Sequence, residues 1–344
     1  MGKNIFMIFI LKIKEKMILL IFEFFIFQMM KLRDWIKIDK LDLYYLSLNP
    51  NAIDLLRKNK KNIIWSALSR NPNAIDLLKE NINNIKINWY YLSGNINAIE
   101  LLRENPNKIN WCELSRNRNA INLLKDNLDK IDWYLLLINL NAIEILKENL
   151  DKIDWYYLSK NTNAIELLKE NPDKINWYYL SGNSNAIEIL KENFDKINWD
   201  MLSTNINAID ILKQNPNKIN WYYLSENTNA INLLKENLDK INWSQLSKNI
   251  NAISILKDNI DKIDWDNLSK NINAIEILRE NPEKINWVLL SSNPSIFTYD
   301  YNYMKNSNID LKEEIIAKAL HPKRIFRLIE EYGEEEIYDI YFED

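Results

Sequence analysis

The chain contains very little cysteine, histidine and glycine. Cys112 and His321 are the only residues of their kinds, and four glycines occur among 344 residues. One cysteine excludes an intramolecular disulfide, and one cysteine with one histidine excludes zinc sites built from several such ligands. So few glycines leave no glycine-rich loop for a phosphate. We therefore expect no cofactor, no metal and no small-molecule substrate, and nothing in the sequence predicts an enzyme.

A dominant charge of one sign is also missing. The formal net charge is −4, and most of the imbalance lies at the two ends. Between the ends the chain is nearly neutral, whereas a nucleic-acid groove normally carries a basic stripe. Binding of RNA or DNA is therefore kept only as a minor alternative.

A repeat of 22 residues, with one two-residue insertion, fills most of the chain. Each unit contains Trp, then Leu-Ser, then Asn-x-Asn-Ala-Ile, then Leu-Lys-Glu-Asn, and Leu43 occupies the tryptophan position of the first unit. A period of this length is typical of stacked arrays. It predicts an all-α solenoid of about twelve repeats over residues 30–296, which we expect to be elongated. We place the repeated tryptophans in its core: Trp65, Trp89, Trp111, Trp133, Trp155, Trp177, Trp199, Trp221, Trp243, Trp265 and Trp287.

Each unit is predicted to be a helix-turn-helix. Asn161 caps a first helix of roughly ten residues, and Asn171, in a left-handed conformation before Pro172, ends it. Asn176 begins a second helix of about two turns that is partly 3-10. Asparagine columns could instead read a polymeric ligand, but capping is the favoured interpretation. The predicted structural caps are Asn71, Asn95, Asn117, Asn161 and Asn183 at helix starts and Asn81, Asn105 and Asn171 at helix ends.

The two positions after each tryptophan differ most from unit to unit. Tyrosine is common there, and half-exposed tyrosines are frequent at protein interfaces. These side chains are a candidate face for a protein partner, and the alternative is that they only seal the seam between units. The candidates are Tyr90, Tyr91, Tyr134, Tyr156, Tyr157, Tyr178, Tyr179, Tyr222 and Tyr223. The unit with Leu136, Leu137 and Ile138 is unusually apolar, as an exposed patch or as extra core.

The ends depart from the repeat. Residues 1–29 are apolar but interrupted by charges, and three interpretations stay open: an extension upstream of a natural start at Met29 or Met30, a membrane anchor through residues 5–28, or a helical cap. Residues 297–332 predict a helical C-terminal cap, and residues 333–344 an acidic tail.

The chain resembles a family of largely uncharacterised repeat proteins encoded by large DNA viruses of amoebae and algae. The resemblance covers residues 30 to about 332. It is carried by MKLRDWIKIDKL at the start, the unit NPNAIDLLKENxDKINW, the segment NPSIFTYDY and the later segment EEIIAKALHPKRI. It implies a viral protein located in the host-cell cytoplasm or in the virion. No functional residues can be carried over from the family.

The sequence therefore favours a non-enzymatic scaffold that binds another protein along an extended face. The alternative is a structural or packaging component of a viral particle.

Overall fold

The computed structural model describes residues 30–84 and 86–301, together with residues 327 and 330. Residues 32–297 form one compact unit that contains all the repeats. The extension at 1–29, most of the predicted cap at 297–332 and the tail at 333–344 lie outside the described residues. Within the cap range, strand β2 (Phe297–Tyr299) pairs with strand β1 (Met30–Leu32), a small sheet that the sequence did not predict.

The prediction of an all-α repeat solenoid is confirmed. Repeats 1 to 11 each contain a B helix, which begins at the tryptophan position, and an A helix, which follows the conserved alanine; the B helix of repeat 12 is followed instead by a 3-10 helix and β2. We number the repeats 1 to 12 by their B helices. The B helices are Leu43–Leu48, Trp65–Leu68, Trp89–Ser93, Trp111–Ser115, Trp133–Leu136, Trp155–Leu158, Trp177–Ser181, Trp199–Thr204, Trp221–Glu226, Trp243–Lys248, Trp265–Lys270 and Trp287–Leu290. The A helices are Ile53–Lys58, Ile75–Lys79, Ile99–Arg103, Ile121–Lys125, Ile143–Lys147, Ile165–Lys169, Ile187–Glu192, Ile209–Gln214, Ile231–Lys235, Ile253–Lys257 and Ile275–Glu280.

A third element, a short 3-10 helix, connects most A helices to the next B helix. The sequence analysis missed it and assigned 3-10 character to the B helix, which is α-helical. These connecting helices are Ile38–Lys40, Lys60–Asn62, Pro106–Lys108, Leu128–Lys130, Leu150–Lys152, Pro172–Lys174, Phe194–Lys196, Pro216–Lys218, Leu238–Lys240 and Ile260–Lys262. Three further 3-10 helices precede A helices or β2, each with proline in its first turn: Pro50–Ala52, Pro72–Ala74 and Pro294–Ile296.

The A helices are about half as long as predicted because their first turn is irregular or 3-10. They end as expected at asparagine, but not in a left-handed conformation. Asn171 has φ −132° and ψ 58°, and its side-chain amide donates to the carbonyl of Leu167, four residues back, at 2.9 Å. Asn81 and Asn105 make the same bond to Leu77 and Leu101. The side chain therefore satisfies a carbonyl that the helix end leaves unpaired.

The asparagine six residues after each tryptophan position connects neighbouring repeats. Nδ2 of Asn205 donates to the carbonyls of Ser181 and Asn183 in the preceding repeat, at 3.1 and 2.9 Å. Its Oδ1 accepts from the backbone N–H of Asn207 at 3.0 Å, which closes a turn ahead of the A helix. The N-cap of that helix is Ala208, so the asparagine lies one turn earlier than the predicted cap. Every repeat has this asparagine, and its side chain is at most 4% exposed throughout. The column thus closes the turn before the A helix and holds the previous repeat; of the predicted helix starts, Asn71 caps a helix, the 3-10 helix Pro72–Ala74.

The same bonds connect repeat 1 to repeat 12. Nδ2 of Asn49 donates to the carbonyls of Ser291 and Asn293, each at 3.0 Å. The N–H of Asp42 donates to Oγ of Ser291 at 2.8 Å, as the equivalent N–H does between other neighbours. Residues 32–297 therefore form a closed ring of twelve repeats. The prediction of an elongated array is wrong, because a 22-residue period fixes the unit but not the turn from one unit to the next.

Closure also covers the end face of repeat 12. Repeat 1 packs on it with the contacts that every other repeat makes. The ammonium of Lys40 lies 4.7 Å from the ring centre of Trp287, and Trp35 meets the same ring edge-on at 6.4 Å. Because repeat 1 occupies this face, a separate cap is not needed there.

The core consists of leucine, isoleucine and alanine rather than tryptophan. The conserved alanines and the leucines three residues after each tryptophan position are almost fully buried. All eleven tryptophans assigned to the core are only half-buried, which corrects that placement. The lysine of the next connecting helix covers the outer face of most of these rings, for example Lys196 over Trp177 at 4.6 Å. The indoles therefore pack at the seam between repeats beneath a cation.

Leu137 belongs to the core, since its side chain is fully buried while Ile138 is 42% exposed. In the other repeats a serine occupies this position. Oγ of Ser203, for example, donates to the carbonyl of Trp199 and accepts from the N–H of Asn220 in the next repeat. Repeat 5 therefore replaces a hydrogen bond between repeats with apolar packing.

Substitution of Asn49 provides a test of closure. We expect Asn49→Ala to lower the free energy of unfolding about as much as Asn205→Ala, by about 2–4 kcal/mol, because each leaves two buried carbonyls without their donor. Chemical denaturation of both variants measures this. An open solenoid would make Asn49→Ala nearly neutral. Asn207→Ala is the matched control. The Asn207 side chain is exposed and makes one hydrogen bond to the preceding repeat, so its loss should lower the free energy of unfolding by about 1 kcal/mol.

Candidate functional site

The B helices form the inner wall of the ring. The B helices of most neighbouring repeats lie against one another, and the rings of Tyr157 and Tyr179, at equivalent positions of repeats 6 and 7, stack at 6.2 Å. The A helices of the same repeats are separated by an open pocket of about 410 Å³ that includes Ile165, Glu166 and Glu188. In a closed ring, elements that are closer together lie at a smaller radius. The A helices are therefore on the outside.

Three positions of each B helix face the opening of the ring. Leucine and serine, three and four residues after the tryptophan position, are buried in the core. At 100° per residue, the first, second and fifth positions lie on the opposite side of the helix.

The nine predicted tyrosines all lie on this inner wall. Those at the first position are 44–51% exposed, whereas Tyr91, Tyr157 and Tyr179 at the second position are half-buried. Tyr90 with Tyr91 and Tyr222 with Tyr223 form edge-on pairs inside their own repeats. The sequence reasoning missed Tyr44 and Val288, which are 38% and 47% exposed, because repeats 1 and 12 were taken as ends.

Repeats 5 to 7 bring five of the tyrosines into one tyrosine cluster: Tyr134, Tyr156, Tyr157, Tyr178 and Tyr179. Tyr134 contacts Tyr157 at 4.4 Å between ring centres, and Tyr156 contacts Tyr179 at 4.7 Å. Each contact joins the first position of one repeat to the second position of the next. The seam interpretation thus holds for the half-buried rings, while the exposed rings of Tyr134, Tyr156 and Tyr178 remain accessible.

Hydrogen bonds between phenols accompany these ring contacts. A hydrogen bond with Tyr134 raises the pKa of Tyr157, and a hydrogen bond with Tyr179 raises the pKa of Tyr156. In repeats 3 and 4 the partner is a carboxylate: a hydrogen bond with Glu113 raises the pKa of Tyr90. Glu113 is buried and also forms an ion pair with Arg116. The wall is therefore ordered by contacts between neighbouring repeats.

Repeats 9 to 11 line the wall with polar side chains that bind one another. Nε2 of Gln245 donates to the hydroxyl of Tyr222 at 2.6 Å, and Oε1 of Gln245 accepts from Lys248 at 2.8 Å. Asp264 accepts from Oγ of Ser244 and from Nδ2 of Asn267. Burial raises the pKa of Asp264, but the hydrogen bonds to its carboxylate outweigh burial and leave the pKa below its ordinary value. Because these polar groups already bind one another, few of their atoms are available to bind a ligand.

In the described part of the chain, few side chains are placed to act as a nucleophile or to bind a metal. Cys112 is exposed on the inner wall, and a hydrogen bond with Asp132 raises the pKa of its thiol, which disfavours the reactive thiolate. Among residues 30–84 and 86–301, no group of three or more His, Cys, Asp or Glu side chains is arranged to hold a metal ion. No helix in those ranges is long and apolar enough to cross a membrane.

Comparison with known proteins gives no relative. No protein-family model, no curated protein and no solved structure matches the chain.

The bond between Tyr90 and Glu113 can be tested by titration. We expect Glu113→Gln to lower the pKa of Tyr90 toward its ordinary value, because the negative acceptor that disfavours the phenolate is removed. Carbon-13 NMR of labelled tyrosine rings, with Tyr90→Phe to assign the signal, measures the shift. The pKa of Tyr156, which is raised by Tyr179 rather than by Glu113, should not change; an equal change at both residues would contradict this contact.

Proposed function

We propose that residues 32–297 act as a non-enzymatic scaffold that binds a segment of another protein on the inner wall, at the tyrosine cluster. The observation that supports this most directly is the exposure of Tyr134, Tyr156 and Tyr178 in a cluster that spans three consecutive repeats. Exposed apolar surface of this extent, bordered by polar residues, commonly marks an interaction site.

The chemistry of the wall favours a polypeptide as the partner. Tyrosine supplies a large contact area with few rotatable bonds and a hydroxyl at its tip, which suits protein interfaces. Ile138, four residues after Tyr134 in repeat 5, is 42% exposed and adds an aliphatic side chain to the wall.

The charges of the wall argue against nucleic acid. Its three positions per repeat carry five basic residues and four acidic ones, so no basic stripe follows the ring. The five basic residues are Arg70, Arg116, Lys160, Lys248 and Lys270, and the four acidic ones are Glu113, Asp200, Glu226 and Asp266.

The test begins by identifying the partner by crosslinking and mass spectrometry in cells that express the protein natively. Its binding to purified ring is then measured by calorimetry. We expect the double variant Tyr156→Ser, Tyr178→Ser to weaken binding at least tenfold, since hot-spot tyrosines typically contribute about 2 kcal/mol or more each. Both side chains are nearly half exposed, so the stability of the ring should change little.

Glu166→Ser with Glu188→Ser is the matched control. These carboxylates lie on the A helices of the same two repeats, on the outside of the ring, and each forms an exposed ion pair. The control should bind as the wild type does. Unchanged binding by the tyrosine variant, or binding lost equally in both variants, would count against the inner wall. Binding of RNA or DNA that falls steeply with salt would favour nucleic acid instead.

A further inference from the structure

Cations of the chain itself cover many of its half-exposed aromatic rings. Eight of the indole rings have a lysine ammonium 4.4–4.8 Å from the ring centre. On the inner wall, the guanidinium carbon of Arg70 lies 3.7 Å from the ring centre of Tyr91. The negative face of an aromatic ring attracts a cation, and a guanidinium group also stacks on it. Arg70 therefore shows how a tyrosine of this wall binds an arginine side chain.

Within the described residues, no cation of the chain covers the five rings of the tyrosine cluster. Arg70 reaches its tyrosine from the fifth position of the preceding repeat. The residue at that position before Tyr157 is Ile138, which has no charge. Lys160 is at that position before Tyr179, yet Arg70 is the one cation over a tyrosine ring in residues 30–84 and 86–301. The cluster therefore lacks the cation that most other aromatic rings of the fold receive.

The first position of each repeat lies next to the residue that precedes the tryptophan of the following repeat. Oγ of Ser244 donates to Oδ2 of Asp264 at 2.6 Å across this junction. Nδ2 of Asn220 donates to Oδ1 of Asp200 at 2.7 Å across the junction of repeats 8 and 9. Each bond joins residues twenty positions apart, so residues with this spacing are neighbours along the wall.

At the tyrosine cluster this spacing places Asp154 beside Tyr134. Asp154 also begins the helix of Tyr156, and its Oδ1 accepts from the N–H of Tyr156 at 3.0 Å. The hydrogen bond with Tyr179 is the main cause of the raised pKa of Tyr156, and the negative charge of Asp154 adds to it. Asp154 is exposed, and its Oδ2 accepts no hydrogen bond from the described residues. An exposed carboxylate oxygen therefore lies between two exposed phenol rings.

We propose that the tyrosine cluster and Asp154 bind the guanidinium group of an arginine side chain on the partner protein. The inference rests on the proposed function and deepens it, because it names the chemistry of the segment that binds the inner wall. The rings of Tyr134 and Tyr156 supply faces for the planar cation, and the carboxylate between them supplies the opposite charge. Arginine fits better than lysine, because a guanidinium group stacks on a ring while its N–H groups donate to a carboxylate at its edge.

The experiment uses the full chain with carbon-13 labelled tyrosine rings and two short capped peptides. One peptide has a single arginine between serine and glycine residues, and the other has citrulline in its place, which keeps the shape and removes the charge. We expect the arginine peptide to shift the NMR signals of Tyr134 and Tyr156 saturably and to bind roughly fivefold more tightly than the citrulline peptide. This preference should decrease as sodium chloride is added.

Asp154→Asn tests the carboxylate with little risk to the fold, since asparagine occupies this position in seven other repeats. We expect it to weaken binding of the arginine peptide roughly threefold and to leave the citrulline peptide unaffected. The matched control is Asp264→Asn, the same change in repeat 11, which should bind as the wild type does. Lys160→Gln should strengthen binding of the arginine peptide, because it removes the one basic residue on the wall of repeats 5 to 7. Circular dichroism during heating verifies that all variants fold.

The results separate this inference from the proposed function. Equal binding of the two peptides, no tyrosine shift with either peptide, or equal weakening by Asp154→Asn and Asp264→Asn would overturn the arginine site. Each of those results leaves the binding of a native partner by the tyrosines as it stands. If instead the native partner binds the Tyr156→Ser, Tyr178→Ser variant as tightly as the wild type, the proposed function fails whatever the peptides do.

Discussion

The structure depends on one buried hydrogen-bonding side chain per repeat. The carboxamide of asparagine has two N–H donors and one carbonyl acceptor, and at each of twelve positions all three are used. The two donors satisfy carbonyls at the end of the preceding B helix, and the acceptor closes the turn that follows the asparagine's own B helix. A helix of five residues leaves most of its backbone groups unpaired. The side chain of a neighbouring repeat supplies what these short helices lack.

This dependence explains why no repeat is independent of its neighbours. The leucine and alanine core is shared between repeats, and the polar groups at the helix ends are shared as well. Serine adds a third connection at eleven of the twelve interfaces, and Leu137 replaces it at the remaining one. The tryptophans contribute at the edge of the seam, where an indole ring packs against the core on one face and beneath a lysine on the other. The same columns then present the variable positions on the inner wall.

The repeat, the helical class, the asparagine caps and the tyrosine face could be predicted from the sequence, because period and capping are local properties. Closure could not, since the angle between repeats is set by small differences in packing on the inner and outer sides. Asn49 illustrates this. The sequence around it resembles that of the other repeats, yet its side chain donates to the carbonyls of Ser291 and Asn293 in repeat 12. The tryptophans misled for another reason. An amphipathic indole at a fixed position fits a buried core and a half-buried seam equally well, and the lysine above it comes from the next repeat.

Closure also restricts how such a chain can change in evolution. In an open solenoid, duplication of one unit lengthens the array and leaves every existing interface as it was. Here each repeat turns the chain by about 30°, one twelfth of a circle. A thirteenth unit would force every junction to about 28°, or else break the bonds between the first and last units. Gain or loss of a unit therefore strains the whole molecule at once, so the copy number is fixed by geometry while single positions on the wall are free to diverge.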